Sequence, residues 1–403
     1  MVDSQIPDIF ANIWQKVQTD SESKRISDYA DLRIFYENDR KEIEEYLRRI
    51  LVDIKKLYNA ETWKKMVIRH RDNIQKPLNR ITTGIYETPP LREIYSDTDK
   101  LDEANTELLN QILEDCRYNE KVKDSFKKGS YYNCLEVWVQ WDGEKIVLEV
   151  LVPDTYSVQT LPNDYTKKQK IWIQRYNSQY NELDYVVYTD EEHYLIDSNG
   201  SIVPAEGNDK MINPYGKIPC VKFQRKEGID YWGETNWDLF DTQIALDIKR
   251  TNNFYTEMFQ TFSIGVATNL DLPNNAVVSP GMLIRCEDVK KEDIQPSLTF
   301  SNPTVDWQAL NDNIDFEVKD SLRSQGINAS SSSLDPTAQS GASKEMDEVE
   351  LIELRETNKE ILYNFEKELI ETILLVYGYH NNKSIEGFVE ITFSEEKTNE
   401  AIK

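Results

Sequence analysis

Two stretches of helical periodicity flank a short turn-rich insert, and this arrangement restricts the folds open to the chain more than any other feature of it. From Gly233 to Phe262, Trp237, Phe240, Ile244, Ile248, Tyr255, Met258 and Phe262 recur at helical spacing, while Asp241, Asp247, Lys249, Arg250, Asn253 and Glu257 fall elsewhere. A helix over 233–262 would run roughly 45 Å at about 1.5 Å per residue, well beyond the mean globular helix of about 11–12 residues. The period returns after Pro303, with Thr304 as N-cap, Trp307, Leu310, Ile314, Val318 and Leu322 as the stripe, and Gly326 as the end. The insert between them, 263–303, carries strand signals around IGVATNL, AVVS and GMLIRCE, punctuated by Pro273, Pro280-Gly281 and Pro296. It is too small to hold a core of its own. A helical hairpin displaying a compact module is the predicted outcome.

The flanking chain completes an α+β fold. Residues 20–75 read as helical and charged, with Ile34, Phe35, Ile43, Tyr46, Leu47, Ile50, Ile54 and Leu57 on one stripe, before Thr88-Pro89-Pro90 stops any regular element. A helix over 101–127 follows, buried through Leu101, Leu108, Leu109, Ile112, Leu113 and Val122 and ended by Gly129. The period then switches to two: 131–225 reads as an antiparallel meander, with a hairpin turn at Asp142-Gly143. After the second hairpin helix comes INASSSSLDPTAQSGAS, whose composition cannot form a core and predicts a mobile loop. A third long helix, 341–378, with Met346, Val349, Ile352, Leu362, Phe365, Leu369, Ile373 and Val376 as its stripe, and a strand in EGFVEITF close the chain.

Charge and cysteine usage narrow the function classes. The chain carries 72 acidic against 47 basic residues, a formal net charge of −25. Such a field repels free DNA and anionic membranes at long range, which argues against a sequence-reading DNA binder. Contact with nucleic acid requires that geometry impose it. Cys116, Cys134, Cys220 and Cys286 offer no C-x-x-C ligand pair and no disulfide framework, which predicts reduced, buried thiols. MVDSQIPDIFANIW lacks the basic region and apolar run of a signal peptide. The late apolar stretch Ile370–Tyr377 is broken by Glu371 and falls short of the ~20 residues a membrane span needs. The expectation is a soluble protein, intracellular when made, with no membrane partner.

Motifs for chemistry are scarce. His70, His193 and His380 have no second ligand at zinc spacing, and His193 beside Glu191-Glu192 reads as a solvated turn. There is no G-x-S-x-G elbow and no G-x-G-x-x-G loop. Gly341-Ala342-Ser343-Lys344 resembles the end of a phosphate loop, but Pro336 stands where the upstream glycine is required. Glu44-Glu45, Asp190-Glu191-Glu192, Glu287-Asp288 and Glu395-Glu396 leave a carboxylate-based, metal-dependent hydrolase or nuclease as the alternative from another class. Among so many acids such pairs arise by chance and sit on solvated faces. The expectation is no enzyme, no catalytic residue, no metal and no cofactor.

The order of parts — sheet domain, long helix, small insert, long helix, Ser-rich loop, long helix — resembles the portal proteins of tailed bacteriophages (Caudoviricetes), the head-tail connectors. Local sequence agrees: Asn213-Pro214-Tyr215-Gly216-Lys217-Ile218-Pro219-Cys220-Val221-Lys222-Phe223 is similar to the family's strand leading into the first stem helix. Ser340-Gly341-Ala342-Ser343-Lys344 is similar to the small-residue motif opening its long helix, although Glu345-Met346 departs from the more apolar continuation. NRITTGIYETPP, 79–90, resembles an early strand, and Lys128-Gly129-Ser130-Tyr131 and Val152-Pro153-Asp154-Thr155-Tyr156 resemble the wing sheet. The resemblance covers roughly residues 70–395 and rests on the order and separation of these motifs.

This resemblance implies a wing over 1–232 and 341–403, a stem of 233–262 and 304–326, a clip over 263–303 and a tunnel loop over 327–340, with the crown reduced or absent. It implies a ring, normally a dodecamer, at the unique capsid vertex of the virion, assembled in the host bacterial cytoplasm. Through it the terminase large subunit drives double-stranded DNA without sequence specificity during packaging, and the genome leaves through it at ejection. The clip would dock the motor and then the head-completion adaptor, through Arg285, Glu287, Asp288, Lys290, Lys291, Glu292 and Asp293, while the major capsid protein surrounds the ring. The tunnel loop would present Asn328, Ser330, Ser331, Ser332 and Ser333 to DNA. Asp306, Asp312, Asp315, Glu317 and Asp320 against Lys319 and Arg323 make the second stem helix acidic, a wall that does not grip phosphates. The same residues could pair between subunits with Lys249 and Arg250; a helix has two sides, and the two readings are compatible.

Overall fold

CLEVWVQW, the strand β2 (Cys134–Trp141), is buried along its first six residues. Strands buried on both faces read as apolar runs, and β2 occupies the centre of a three-stranded antiparallel sheet between β3 (Ile146–Leu151) and β9 (Cys220–Gln224). Val137 stands opposite Val150 on one side and Val221 on the other. In this computed structural model the described residues are 20–54, 67–86, 88–96, 100–177, 182–260, 264–268, 270–271, 287–288, 297–301, 306–327, 341–383, 385 and 387–393. The chain is α+β and divides into two units: Met1–Asn38, Ile74–Phe240 and Leu322–Lys403 in the first, Asp39–Asn73 and Asp241–Ser321 in the second.

In the first unit a second sheet follows the chain as a meander, β4 (Tyr156–Leu161), β5 (Asp164–Asn177), β6 (Glu182–Tyr188), β7 (His193–Ile196) and β8 (Ile202–Pro204), in that order. One core joins the two sheets: Trp138, Leu151, Tyr156, Ile171, Ile173, Val186 and Tyr188 pack with Cys220 and Tyr231. The expected single meander over 131–225 is therefore two sheets. The physical reason is that β9 returns to the free edge of β2, a long-range pairing that alternation alone does not specify.

Helices cover the three-stranded sheet. The third long helix extends over Gly341–Asn381, 41 residues, roughly 60 Å at about 1.5 Å per residue. It lies on β2 and β9 and buries Leu362, Phe365, Leu369, Ile373 and Val376 of the expected stripe; the side chains of Met346, Val349 and Ile352 lie outside the described ones. The closing strand (Phe388–Thr392) pairs antiparallel with β1 (Leu91–Tyr95), Leu91 opposite Thr392. Beside them run α1 (Asp20–Glu37), α3 (Gln75–Ile85), α4 (Glu103–Asp115) and α5 (Tyr118–Tyr132).

The structure departs from four expectations. Residues 79–90 do not form a strand: α3 buries Leu78, Ile81, Thr82 and Ile85, a helical spacing that overrides the β-propensity of Ile-Thr-Thr, and Pro77 is tolerated in its first turn. The helix expected over 101–127 is two, because Arg117 adopts the left-handed conformation (φ 55°) and redirects the chain so that Tyr118, Val122 and Phe126 are buried. Gly129 does not end it but lies inside α5, facing the ring of Phe223 so closely that no Cβ fits. The helix ends at Asn133, also at positive φ (69°). The helical stretch expected over 20–75 likewise breaks at Asn38 (φ 57°), after which Asp39 accepts from the amides of Lys41 and Glu42 to cap α2 (Arg40–Ile54).

The second unit contains α2, the segment 67–73, most of α6 (Trp237–Gln260), the strands β10 (Ile264–Thr268), β11 (Leu270–Asp271), β12 (Glu287–Asp288) and β13 (Ser297–Ser301), and most of α7 (Trp307–Ser324). Asp306, not Thr304, caps α7 by accepting from the Ala309 amide at 3.0 Å; Thr304 lies outside the described residues. The last helix, Gly341–Asn381, is α8, and the closing strand, Phe388–Thr392, is β14.

Candidate functional site

The helical hairpin and its module are built by nested pairing. β10 pairs antiparallel with β13 from Ile264↔Ser301 to Thr268↔Ser297, and β11 pairs with β12 inside that loop, Leu270↔Asp288 and Asp271↔Glu287. The chain thus goes out along α6, β10 and β11 and returns along β12, β13 and α7. Within the second unit the two helices are joined by charge: the Lys249 ammonium donates to Asn313 Oδ1 at 2.6 Å and pairs with the Glu317 carboxylate. The pair is half-exposed, so its net worth is small, about 0–1 kcal/mol.

Alongside Leu239 and Leu246, α6 buries a run of polar side chains. Gln243, Asp247 and Thr251 are at most 1% exposed, whereas the expected stripe residues Ile244 and Ile248 are only half-buried. The segment 67–73 explains this. Its alternate amides donate to side chains four residues apart on α6: Val67 to Tyr255 (2.6 Å), Arg69 to Thr251 (3.0 Å), Arg71 to Asp247 (3.2 Å) and Asn73 to Gln243 (2.8 Å). Two residues of extended chain rise about 6.4–6.8 Å, and four helical residues about 6.0 Å, so the two periods stay in step. The backbone donors of a segment that belongs to no helix or sheet find their acceptors on this polar face.

Asp247 is the centre of this contact. It is fully buried, accepts from His70 Nδ1 at 2.6 Å and from Gln243 Nε2 at 2.8 Å, and has the Arg250 guanidinium 3.6 Å away. Burial lowers the Arg250 guanidinium below its usual range, a shift that Asp247 opposes and to which Asp315 also contributes in opposition. Lys249 and Arg250, the two cations expected on the first stem helix, therefore have partners inside one chain. Asp312, Asp315, Lys319 and Arg323 stand exposed on α7, of whose residues only Leu322 is fully buried.

Of the residues expected to dock partners, Glu287 and Asp288 form β12; Arg285, Lys290, Lys291, Glu292 and Asp293 lie outside the described residues. The loop residues Asn328, Ser330, Ser331, Ser332 and Ser333 lie outside them too. Sequence reasoning missed Gln243, Thr251 and Tyr255 as a set with Asp247. The signal was present, hydrogen-bonding side chains at every fourth position of one helix, but the segment they hold is remote in sequence.

Elsewhere the candidate groups are structural. His193 stacks on Tyr188 with ring centroids 4.1 Å apart, and burial lowers its imidazole to about 4. His380 stacks on Trp141 at 5.0 Å and bonds Tyr215 Oη through Nε2 at 2.9 Å. The buried Glu136 carboxylate holds Lys168 Nζ at 2.7 and 2.9 Å and the Tyr231 hydroxyl, and the buried Glu366 holds Arg92 at 2.7 Å and Tyr86 at 2.6 Å. Cys116, Cys134 and Cys220 are buried and free, while Cys286 lies outside the described residues. No family model matches the chain, and no curated protein matches its sequence.

Proposed function

We propose that this protein is the subunit of a portal ring, the DNA channel at one capsid vertex of a tailed bacteriophage, and that it performs no chemistry of its own. The observation that carries the reading is the nested pairing of β10–β13 and β11–β12 between α6 and α7, a small module held at the end of a helical hairpin. Two features of the helices support it. Ile244 and Ile248 of α6 and Leu310, Ile314 and Val318 of α7 are only half-buried in one chain, which leaves apolar surface for neighbouring copies. The exposed face of α7 is rich in carboxylates, which suits a wall past which a duplex slides without being gripped.

In this reading α6 and α7 are the stem, the module between them is the clip that meets the terminase large subunit and then the adaptor, and residues 327–340 form the tunnel loop. Lys249 ties the two helices of each subunit's hairpin, Arg250 ties α6 to the segment 67–73, and the carboxylates of α7 face the channel or the next copy. Native mass spectrometry of the purified protein tests the proposal. A closed ring of many 47.2 kDa subunits is the expected result, and a stable monomer at micromolar concentration overturns it.

A further inference from the structure

We infer that neighbouring copies in this ring meet through their second units, the outer face of α7 in one copy against segment 67–73 of the next, with Asp312 on Arg69 and Phe316 on Arg71. The inference rests on the ring reading and names the contact that would build it.

The second unit carries two unlike faces on opposite sides of α6. Lys249 reaches Asn313 and Glu317 of α7, whereas Asp247 and Thr251 accept the amides of Arg71 and Arg69. At about 3.6 residues per turn, a side chain two residues away lies about 160° round a helix. Segment 67–73 and α7 therefore flank α6 on opposite sides. A head-to-tail contact joins different patches of the same chain. In a ring of many subunits those patches must look in nearly opposite directions, as these two do.

The faces also match in chemistry. Val67, Arg69 and Arg71 are exposed, Val67 at 49%, and the Arg69 guanidinium lies 3.8 Å from the centre of the Phe254 ring, which holds it in place. On α7, Asp306, Asp312, Asp315, Phe316 and Asp320 are exposed, Phe316 at 61%. The two faces keep opposite signs when every charged neighbour is counted. Arg69, Arg71 and Arg250 outnumber Asp72 and the buried Asp247, and the four exposed aspartates of α7 outnumber Lys319 and Arg323. Among the described residues, no hydrogen bond or ion pair engages the side chain of Arg71 or of Asp312.

Ring closure sets the register. Rotation about the axis of a closed ring adds no rise, so residues at one level of a stem parallel to that axis face the same level of the next copy. Lys249 bonds both Asn313 and Glu317 and so stands level with the turn between them. Because α7 returns along α6, Thr251, which holds Arg69, is level with Asn313, and Asp247, which holds Arg71, is level with Glu317. The exposed side chains nearest those levels on the outer face are Asp312 and Phe316. A guanidinium suits both partners, the carboxylate by charge and the ring by cation–π attraction.

Charge exchange in the full chain tests this. Asp312→Arg and Arg69→Asp, both at exposed positions, should each raise the concentration needed for assembly at least ~10-fold with unchanged circular dichroism. Combining the two should restore assembly. An Arg69→Cys, Asp312→Cys double variant, oxidised and run without reductant, is expected to give a ladder of covalently linked subunits that neither single variant gives. Rings that form normally in Asp312→Arg, or a cysteine pair that yields no ladder while native mass spectrometry shows rings, overturn this contact and leave the ring reading standing. Rings that form normally in Arg69→Asp while packaging slows would assign the arginines to DNA phosphates and overturn it too. A wild-type protein that forms no ring overturns the ring reading, and this inference falls with it.

Discussion

Glu136 sits in the middle of a central strand, where an ionised carboxylate is tolerated only if its charge is met. Lys168, from β5, meets it. Burial by itself would lower the Lys168 ammonium, but Glu136 beside it, together with Cys220 and Glu368, outweighs burial, and its proton is held more tightly than usual. Lys168→Met removes the cation and strands the carboxylate, which is expected to cost about 3–5 kcal/mol; a fall in melting temperature with an unchanged far-ultraviolet spectrum would show it. His193 gives the opposite sign. Burial depresses its imidazole from 6.5 to about 4, so the folded state prefers it neutral. The unfolded chain binds the proton first, and this contribution is present above pH 6.5 and lost as pH falls toward 4. His193→Phe keeps the stack on Tyr188 and removes the titration. Its melting temperature should fall less than that of the wild type across this window, the carboxylates being common to both.

At the scale of elements, the pairing of segment 67–73 with α6 is the least conventional contact in the second unit. A helix face of Gln243, Asp247, Thr251 and Tyr255 serves as one edge of a ladder whose other strand is ordinary extended chain. The amides of Val67, Arg69, Arg71 and Asn73 should therefore exchange slowly with solvent although the segment belongs to no helix or sheet. Asp247→Ala removes the acceptor shared by Arg71, His70 and Gln243 and leaves the nearby Arg250 uncompensated. Protection over 67–73 should collapse by at least ~10-fold in hydrogen-exchange mass spectrometry, the equivalent of about 1.4 kcal/mol. Exchange in β2 and β9 should stay unchanged. Retained protection at Arg71 in that variant would mean that Asp247 is not its acceptor in solution.

For the whole molecule, the net charge of −25 and the carboxylates of α7 belong to one design in the portal reading: a channel that confines DNA without binding it. In the same proposal Ser331 and Ser332 belong to the tunnel loop, where small hydroxyl side chains would touch phosphates weakly and lysines would grip them. A Ser331→Lys, Ser332→Lys variant is expected to slow or stall packaging while rings assemble as before, and raising the salt should partly relieve the block. Packaging at the wild-type rate at low and high salt alike would remove the loop from the path of the DNA.

Sequence alone determined where the long helices run: α6, α7 and α8 fall within or close to their expected limits, and on α8 Leu362, Phe365, Leu369, Ile373 and Val376 are buried as their spacing requires. It likewise determined the β2–β3 hairpin, because positive φ at Gly143 (104°) is a local demand that glycine meets. Tertiary structure decided the rest. The break at Arg117, the passage of α5 through Gly129 and the helical state of α3 depend on what each segment packs against, and neither glycine nor proline marks the break at Arg117. β9 joins β2, and residues 67–73 join α6, across more than eighty residues of intervening chain in the first case and about 180 in the second. Local propensity carries no information at that range, because the partner that satisfies a backbone amide or covers an apolar face is chosen only when the chain has folded back on itself.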